Sequence, residues 1–245
     1  MTLPSDSSGF HPGSNGDSAA EHLAAAKRAG AACLLAALDY LHRGWSALGV
    51  CPPDHVGVGK KHGKTCQHPG KAPWGEWKEY QDRLAVEVEL RQKWRSNCQL
   101  NVGVALGSVS GLVGIDVDGP DGEASLRELS KGDLPDTLEF VSGRLNGGRR
   151  LLYGIPAGVA LRTTHHHGEQ VGNGVSLLGK GSQTVMPPSW HRSGGLYAWR
   201  PGHGPHDTRP APAPAWLIAL MADTRGKTKT NAAPVGELIV EGGRN

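Results

Sequence analysis

The sequence predicts a mixed α/β (α+β) fold built around a curved, largely antiparallel sheet. Three observations lead there. A long Ala/Leu-rich run near the start has helical character, whereas after residue 134 short apolar runs recur between turn signals. Glycine (36) and proline (17) are abundant and phenylalanine (2) is scarce, which suits many turns rather than a long helical bundle. No period of 20–50 residues marks a repeat architecture.

The elements follow in order. Residues 1–17 are Ser/Gly/Asp/Pro-rich and read as a disordered N-terminus. Ser18-Ala-Ala-Glu21 reads as a capping box, opening a helix that runs to about His42 and stops at Gly44. "WSALGV" (45–50) reads as a strand and 51–73 as a Cys/His/Lys/Gly-rich loop. Helical periodicity returns over 84–96 through Leu84, Val86, Val88, Leu90 and Trp94. Strands "NVGVALG" and "LVGIDVD" precede a helix at 120–131. Further strands are expected near 137–142, 149–154, 174–179, 183–187 and 195–199, and a helix around 214–223. These place one domain over 18–224, followed by a linker-like stretch, "TRGKTKTNAAPV".

Composition bounds the function. A net charge of +3 is compatible with a nucleic-acid partner without demanding one. No apolar run approaches the ~18 residues of a membrane span, and the polar start does not read as a signal peptide. Four cysteines in that setting predict a reducing, cytoplasmic location, with thiols or metal ligands rather than disulfides. Cys33 and Cys98 fall in or near helical segments and are expected to be buried, inert thiols.

In "GLVGIDVDGPDG" (111–122) an apolar run ends in Asp116-Val117-Asp118 and a turn. Successive strand residues alternate faces, so Asp116 and Asp118 project together, about 7 Å apart at Cα, while Val117 faces the core. Neighbouring carboxylates repel, and each raises the other's proton affinity. Mg²⁺ or Mn²⁺ relieves that repulsion and keeps positions for substrate phosphates. A solvated strand end followed by a plain Asp-Gly-Pro-Asp-Gly turn uses the same residues, so both readings stay open at this point.

The segment "CPPDHVGVGKKHGKTCQHPGK" spaces Cys51, His55, His62 and Cys66 as Cys-x3-His and His-x3-Cys around a six-residue loop. Four such N/S donors satisfy a tetrahedral, structural Zn²⁺, and His68 is a substitute ligand. A segment so poor in apolar residues needs a metal to order it. The alternative is an exposed basic loop whose Lys60, Lys61, Lys64 and Lys71 touch nucleic-acid backbone, and the two readings are compatible. The run His165-His166-His167 reads as loop surface, because adjacent side chains diverge.

Four segments occur in a telling order: "GKAPWGEWKEYQ" (70–81), "NVGVALGSVSGLVGIDVDGPDG" (101–122), "LPDTLEFVSGRLNGGRRLLYGIP" (134–156) and "VSLLGKGSQTVMPPSWHRSGGLYAW" (175–199). Over roughly 30–222 the chain resembles the bifunctional DNA primase/polymerase (Prim-Pol) domain of the archaeo-eukaryotic primase superfamily. The resemblance implies a two-part unit containing an RNA-recognition-motif-like, mostly antiparallel sheet flanked by helices, with the active site between the parts. It implies a template-directed nucleotidyltransferase that joins (d)NTPs on single-stranded DNA with Mg²⁺ or Mn²⁺. Plasmids, phages and integrated elements carry such replication proteins.

The resemblance also implies residue roles. Asp116 and Asp118 match the catalytic, metal-holding pair. The family's motif-two His position, aligned on "LLY", is Arg150, preceded by Arg149; the third-carboxylate position, counted back from "PPS", is Ser176. A guanidinium can still clamp a triphosphate, whereas the lost carboxylate is harder to replace, with Glu169 a candidate to compensate. Lys180 and His191 fall in segments the family places beside the nucleotide, although Lys180 also suits a solvated surface and His191 a turn-fixing role. Gly147 and Gly148 are expected to make a tight turn before the arginine pair, and Tyr153 and Trp199 to be core. The closing "GELIVEGGRN" resembles the start of a small helical primase C-terminal domain, so 225–245 reads as a linker leading towards a further primase/helicase region. A helicase domain, in cis or in trans, is the partner this implies. Two rivals follow: a catalytically weakened relative acting as a DNA-binding replication-initiation module, supported by Arg150 and Ser176, and a D-x-D nucleotide-sugar transferase, which requires a parallel sheet.

Overall fold

Two antiparallel sheets organise the chain, whose computed structural model describes residues 15–55, 58–144, 147–163 and 171–222. Of the start expected to be disordered, 1–17, residues 1–14 lie outside the described residues, as do the His165–His167 run, Glu169 and the stretch from 223 onward, whereas 15–17 are helical. Helix α1 (Asn15–His42) begins before Ser18, so Ser18 lies inside the helix rather than at its cap. Asn15, Asp17 and Ser18 are all cap-type residues, and local sequence does not rank them. Gly44, at φ +80, closes the helix as expected, and the Trp45 N–H returns to the Tyr40 carbonyl at 2.9 Å.

Strands β1 (Ser46–Val50), β2 (Asn101–Ala105) and β7 (Gln183–Val185) form a three-stranded sheet with β2 in the middle. The second sheet has five strands in the order β6 (Val175–Leu178), β3 (Leu112–Val117), β5 (Arg149–Gly154), β4 (Leu138–Val141), β8 (Ala198–Trp199). The single curved sheet read from the strand pattern is therefore two. Every strand pair is antiparallel, against the expectation of the nucleotide-sugar transferase reading. Helices α3 (Glu87–Ser96), α4 (Gly119–Ser130) and α5 (Ala215–Met221) match expected segments, while the short α2 (Lys60–Thr65) lies within the Cys/His segment.

Strand alternation divides the core. Val113, Ile115 and Val117 of β3 face the same side as Leu151, Tyr153, Val175 and Leu177, where α4 contributes Leu126 and α5 contributes Leu217 and Met221. Leu112, Leu138, Phe140 and Leu152 face the other side and pack with Leu48, Val102 and Val104 of the three-stranded sheet and with α1 and α3. The five-stranded sheet is thus covered on both faces, and its second face meets the other sheet. Leu152 is fully buried at that junction, so Leu152→Ala is expected to cost about 2–5 kcal/mol. Tyr153 is core, as expected, its hydroxyl bonded to the Pro135 carbonyl at 2.9 Å.

One cysteine departs from expectation. Cys33 is buried, and burial pushes its thiol up to about 12. Cys98 is exposed. A Cβ at Gly30 would lie 1.8 Å from the Cys98 carbonyl oxygen, so α1 packs on this segment's backbone and leaves the thiol outside.

Candidate functional site

Strand β3 delivers the two carboxylates to the junction between the sheets. Asp116 is its penultimate residue and Asp118 the residue before α4, while Val117 between them is buried in the opposite core. Both aspartates line a narrow cleft of about 40 Å³ together with Lys71, Phe140, Ser142, Arg144, Arg150 and Tyr197, and with Arg149 at its edge. The register places Asp116 opposite Arg150 on β5 and opposite Ser176 on β6. The motif-two and third-carboxylate positions inferred from the sequence therefore flank Asp116 on either side.

The cleft is dominated by cations. Arg150 forms an ion pair with Asp116, hydrogen-bonds the Thr184 hydroxyl on β7, and sits with its guanidinium carbon 5.9 Å from the Phe140 ring centre. It thereby ties one sheet to the other. Arg144, from the turn between β4 and β5, pairs with Asp118 at 2.8 Å. Burial opposes ionisation of Asp116, but the charge and hydrogen bond of Arg150, with Lys71 and Arg144 behind it, hold its carboxyl below the usual carboxylate range. Lys71 is shifted down, first by burial and then by its arginine neighbours. Gly148 permits the close fit, because a Cβ there would come within 3.2 Å of both the Asp118 and Ser142 side-chain oxygens.

The two arginines expected to act together part company. Neighbouring strand residues face opposite sides, so Arg150 turns to the cleft and Arg149 towards α4. Arg149 donates to both carboxylate oxygens of Glu123, at 2.6 and 2.9 Å, and reaches buried Glu139 at 3.4 Å. Lys180 is also elsewhere: its amine pairs with Asp82 at 2.7 Å on an exposed surface. His191 sits at the flank of the cleft, 6.1 Å from the Tyr197 ring, and lines a neighbouring cavity of about 440 Å³ with Trp190 and Arg192. Its Nδ1 and the Ser193 hydroxyl are 2.8 Å apart, and burial, then nearby Lys71, Arg144 and Arg192, lower its proton affinity. Sequence reasoning missed Arg144 and assigned Lys71 only to backbone contact. The basic, glycine-rich turn "GRLNGGRR" between two strands was the available signal for Arg144.

Two carboxylates in one cleft are the donor type that Mg²⁺ and Mn²⁺ take. Asp116 and Asp118 fit such an ion, with Arg150 and Arg144 as their present counterions.

The Cys/His segment forms a second cluster. Cys51, just past β1, His55, His62 on α2 and Cys66 at its C-terminal end have donor atoms all within 4.8 Å of one another. The Cys51–Cys66 sulfurs are 3.9 Å apart and the Cys51 sulfur lies 3.8 Å from His55 Nε2. A tetrahedral zinc with bonds near 2.1–2.3 Å spaces its donors at about 3.3–3.8 Å. His62 Nε2 is buried with no hydrogen-bond partner among the described residues, as a metal-binding nitrogen would be. His68 is exposed and outside the cluster, so the four residues first chosen from spacing are the ones brought together. His55 holds a left-handed backbone, φ +59, which turns its ring back towards the cysteines. The cluster connects to the cleft: the Cys51 N–H bonds the Ala72 carbonyl at 2.9 Å, and Gln183 Nε2 holds the Lys71 carbonyl at 2.7 Å.

No helix among the described residues is long and apolar enough to cross a membrane. Comparison with known proteins gives one family. The sequence profile described as "Bifunctional DNA primase/polymerase, N-terminal" (Prim-Pol) matches residues 37–216, which span α1 to α5 and hold both clusters. No curated protein matches the chain.

Proposed function

This chain belongs to the family of bifunctional DNA primase/polymerase N-terminal domains, and from that premise we propose that its cleft binds the triphosphate of a (d)NTP and transfers the nucleotide along a single-stranded DNA template. The observation that carries this reading is the cross-strand placement of Asp116 beside Arg150, in a cleft lined by Lys71 and Arg144. Three cations around two acids leave a net positive pocket, which suits the dense charge of a triphosphate. Arg150, Arg144 and Lys71 orient the phosphates, and His191 assists from the flank. Arg149, committed to Glu123 and Glu139, holds β5 against α4.

Asp116 and Asp118 would hold Mg²⁺ or Mn²⁺, which supplies charge neutralisation at the transferring phosphate. The chain's own part is positioning: phosphates fixed by arginine and lysine, and a rigid strand end carrying the acids. Zinc at Cys51, His55, His62 and Cys66 is structural in this reading, and orders the segment that sets Lys71. The protein would work in the cytoplasm on a plasmid, phage or integrated element, with a helicase domain in cis or in trans.

A second reading, a DNA-binding initiation module without catalysis, is favoured by Ser176 at the third-carboxylate position. Primer extension and de novo priming on single-stranded DNA with Mn²⁺ separate the two. Extension lost in Asp116→Ala/Asp118→Ala supports the enzyme. DNA binding with neither extension nor nucleotide affinity supports the module.

A further inference from the structure

We infer that Arg150 is exchanged between two anions: it neutralises Asp116 until a triphosphate arrives, and only its departure opens that carboxylate to a divalent cation. The inference rests on the nucleotide-binding reading above and adds to it an order of assembly, nucleotide before metal.

Four observations support it. The ion pair with Asp116 is largely enclosed, with side-chain exposures of 15% for Arg150 and 29% for Asp116, so it is little weakened by solvent. A cation approaching Asp116 therefore meets a carboxylate already neutralised and a fixed positive charge beside it. Lys71 and Arg144, which line the same cleft, add to that field. The resting pose is also incomplete. Arg150 Nε is buried with no hydrogen-bond partner among the described residues, and an unmet buried donor carries a cost. A triphosphate offers several oxygens to a guanidinium and can satisfy that fork. Finally, the resting tether is light: away from Asp116 the guanidinium holds one neutral hydroxyl, Thr184, and stacks loosely on Phe140. Arg149 next door differs, held by two carboxylates and unable to leave cheaply.

The exchange predicts opposite signs for two affinities in one variant. Removing Arg150 weakens nucleotide binding and strengthens the binding of metal alone. The test uses the whole chain and two probes: Mn²⁺ followed by electron paramagnetic resonance, and a fluorescent non-hydrolysable dNTP analogue followed by anisotropy in EDTA. Wild type is expected to bind the analogue in EDTA and Mn²⁺ only weakly. Arg150→Gln is expected to lose about tenfold in analogue affinity and gain about tenfold for Mn²⁺, the size of one charge-assisted contact. Asp116→Asn in the Arg150→Gln background should abolish that gain. Arg150→Lys, which keeps the charge but not the fork, should stay weak for Mn²⁺.

If wild type already binds Mn²⁺ at Asp116 as tightly as Arg150→Gln does, the exchange is overturned. It is equally overturned if the analogue binds with Mn²⁺ but not in EDTA. Absence of analogue binding under both conditions removes the nucleotide reading itself. The comparison of analogue binding with Mn²⁺ and in EDTA uses wild type alone, and it decides the matter even if a variant folds poorly.

Discussion

The acidic cleft at the sheet junction and the Cys/His cluster just past β1 solve the problem of converging polar groups in opposite ways. Around Asp116 and Asp118 every acid meets an arginine, Arg150 for one and Arg144 for the other. Around Cys51 and Cys66 the donors face one another, and His62 Nε2 has no hydrogen-bond partner among the described residues. In the first arrangement each carboxylate finds a counterion within the chain, which a substrate can draw away. The second is satisfied only by something that bonds to sulfur and nitrogen together. The comparison therefore contrasts a proposed site of exchange with a proposed site of permanent ligation, joined by the short path from Cys51 through Ala72 to Lys71.

Breaking the permanent site should have the largest effect. A metal present at a thousandfold its dissociation constant contributes about 4 kcal/mol, and each kcal/mol moves the melting point by about 2–4 °C in a domain of this size. Cys66→Ser, or zinc removal by a strong chelator, should lower the melting temperature by roughly 10 °C in differential scanning calorimetry. Unchanged melting with metal content near zero would leave the cluster without a structural task.

The exchange site should show the reverse pattern, a large loss of function at small cost in stability. Asp118 is half exposed and its pair with Arg144 is solvated, so the ion pair is worth about 0–1 kcal/mol. Asp118→Ala should thus melt within about 3 °C of wild type while primer extension falls roughly 100-fold or more. A variant that loses both together would erase the contrast between the sites.

Lys71 sharpens the comparison because it belongs to both regions. Lys71→Ala should reduce nucleotide affinity about five- to tenfold and leave bound zinc at the wild-type ratio by atomic absorption. Zinc loss should in turn lower nucleotide affinity through the displaced 68–72 segment. Equal nucleotide binding with and without zinc would cut that connection.

The smallest effect is a control at a residue outside both clusters. Glu89 is held down to about 2 by its hydrogen bond to Arg83, with burial opposing and the Val86 N–H helping. Its folded value lies below its unfolded one, so its contribution is present above about pH 4.3 and is lost as pH falls towards 2. Glu89→Gln should flatten the acid limb of a stability–pH curve between those values, by giving up a small stabilisation at pH 7 that is already absent at low pH.

Much of this is legible in the sequence itself. Strand alternation alone put Asp116 and Asp118 on one side and Val117 on the other, because a side-chain period of two is a local property. Short spacing within one segment likewise disclosed the four Cys and His residues whose donor atoms converge. The same alternation, applied to Arg149 and Arg150, would have sent them to opposite faces; treating the pair as a unit obscured it. Arg144 was not legible, since its role depends on where the β4–β5 turn falls relative to the end of β3, a matter of long-range register. Lys180 lies on the exposed surface that its sequence reading favoured, but its partner Asp82, 98 residues away in sequence, was not legible for the same reason. Cys98 was misjudged because helix periodicity does not say which side of a turn packs against α1.

The difference between the two clusters can be examined in one experiment, anomalous X-ray scattering at the zinc and manganese edges from crystals with and without a non-hydrolysable dNTP. The account predicts zinc among Cys51, His55, His62 and Cys66 in both crystals. It predicts manganese beside Asp116 and Asp118 only with nucleotide, with Arg150 turned onto the phosphates. Manganese on Asp116 in the nucleotide-free crystal, or a bound triphosphate that leaves Arg150 on Asp116, would contradict it.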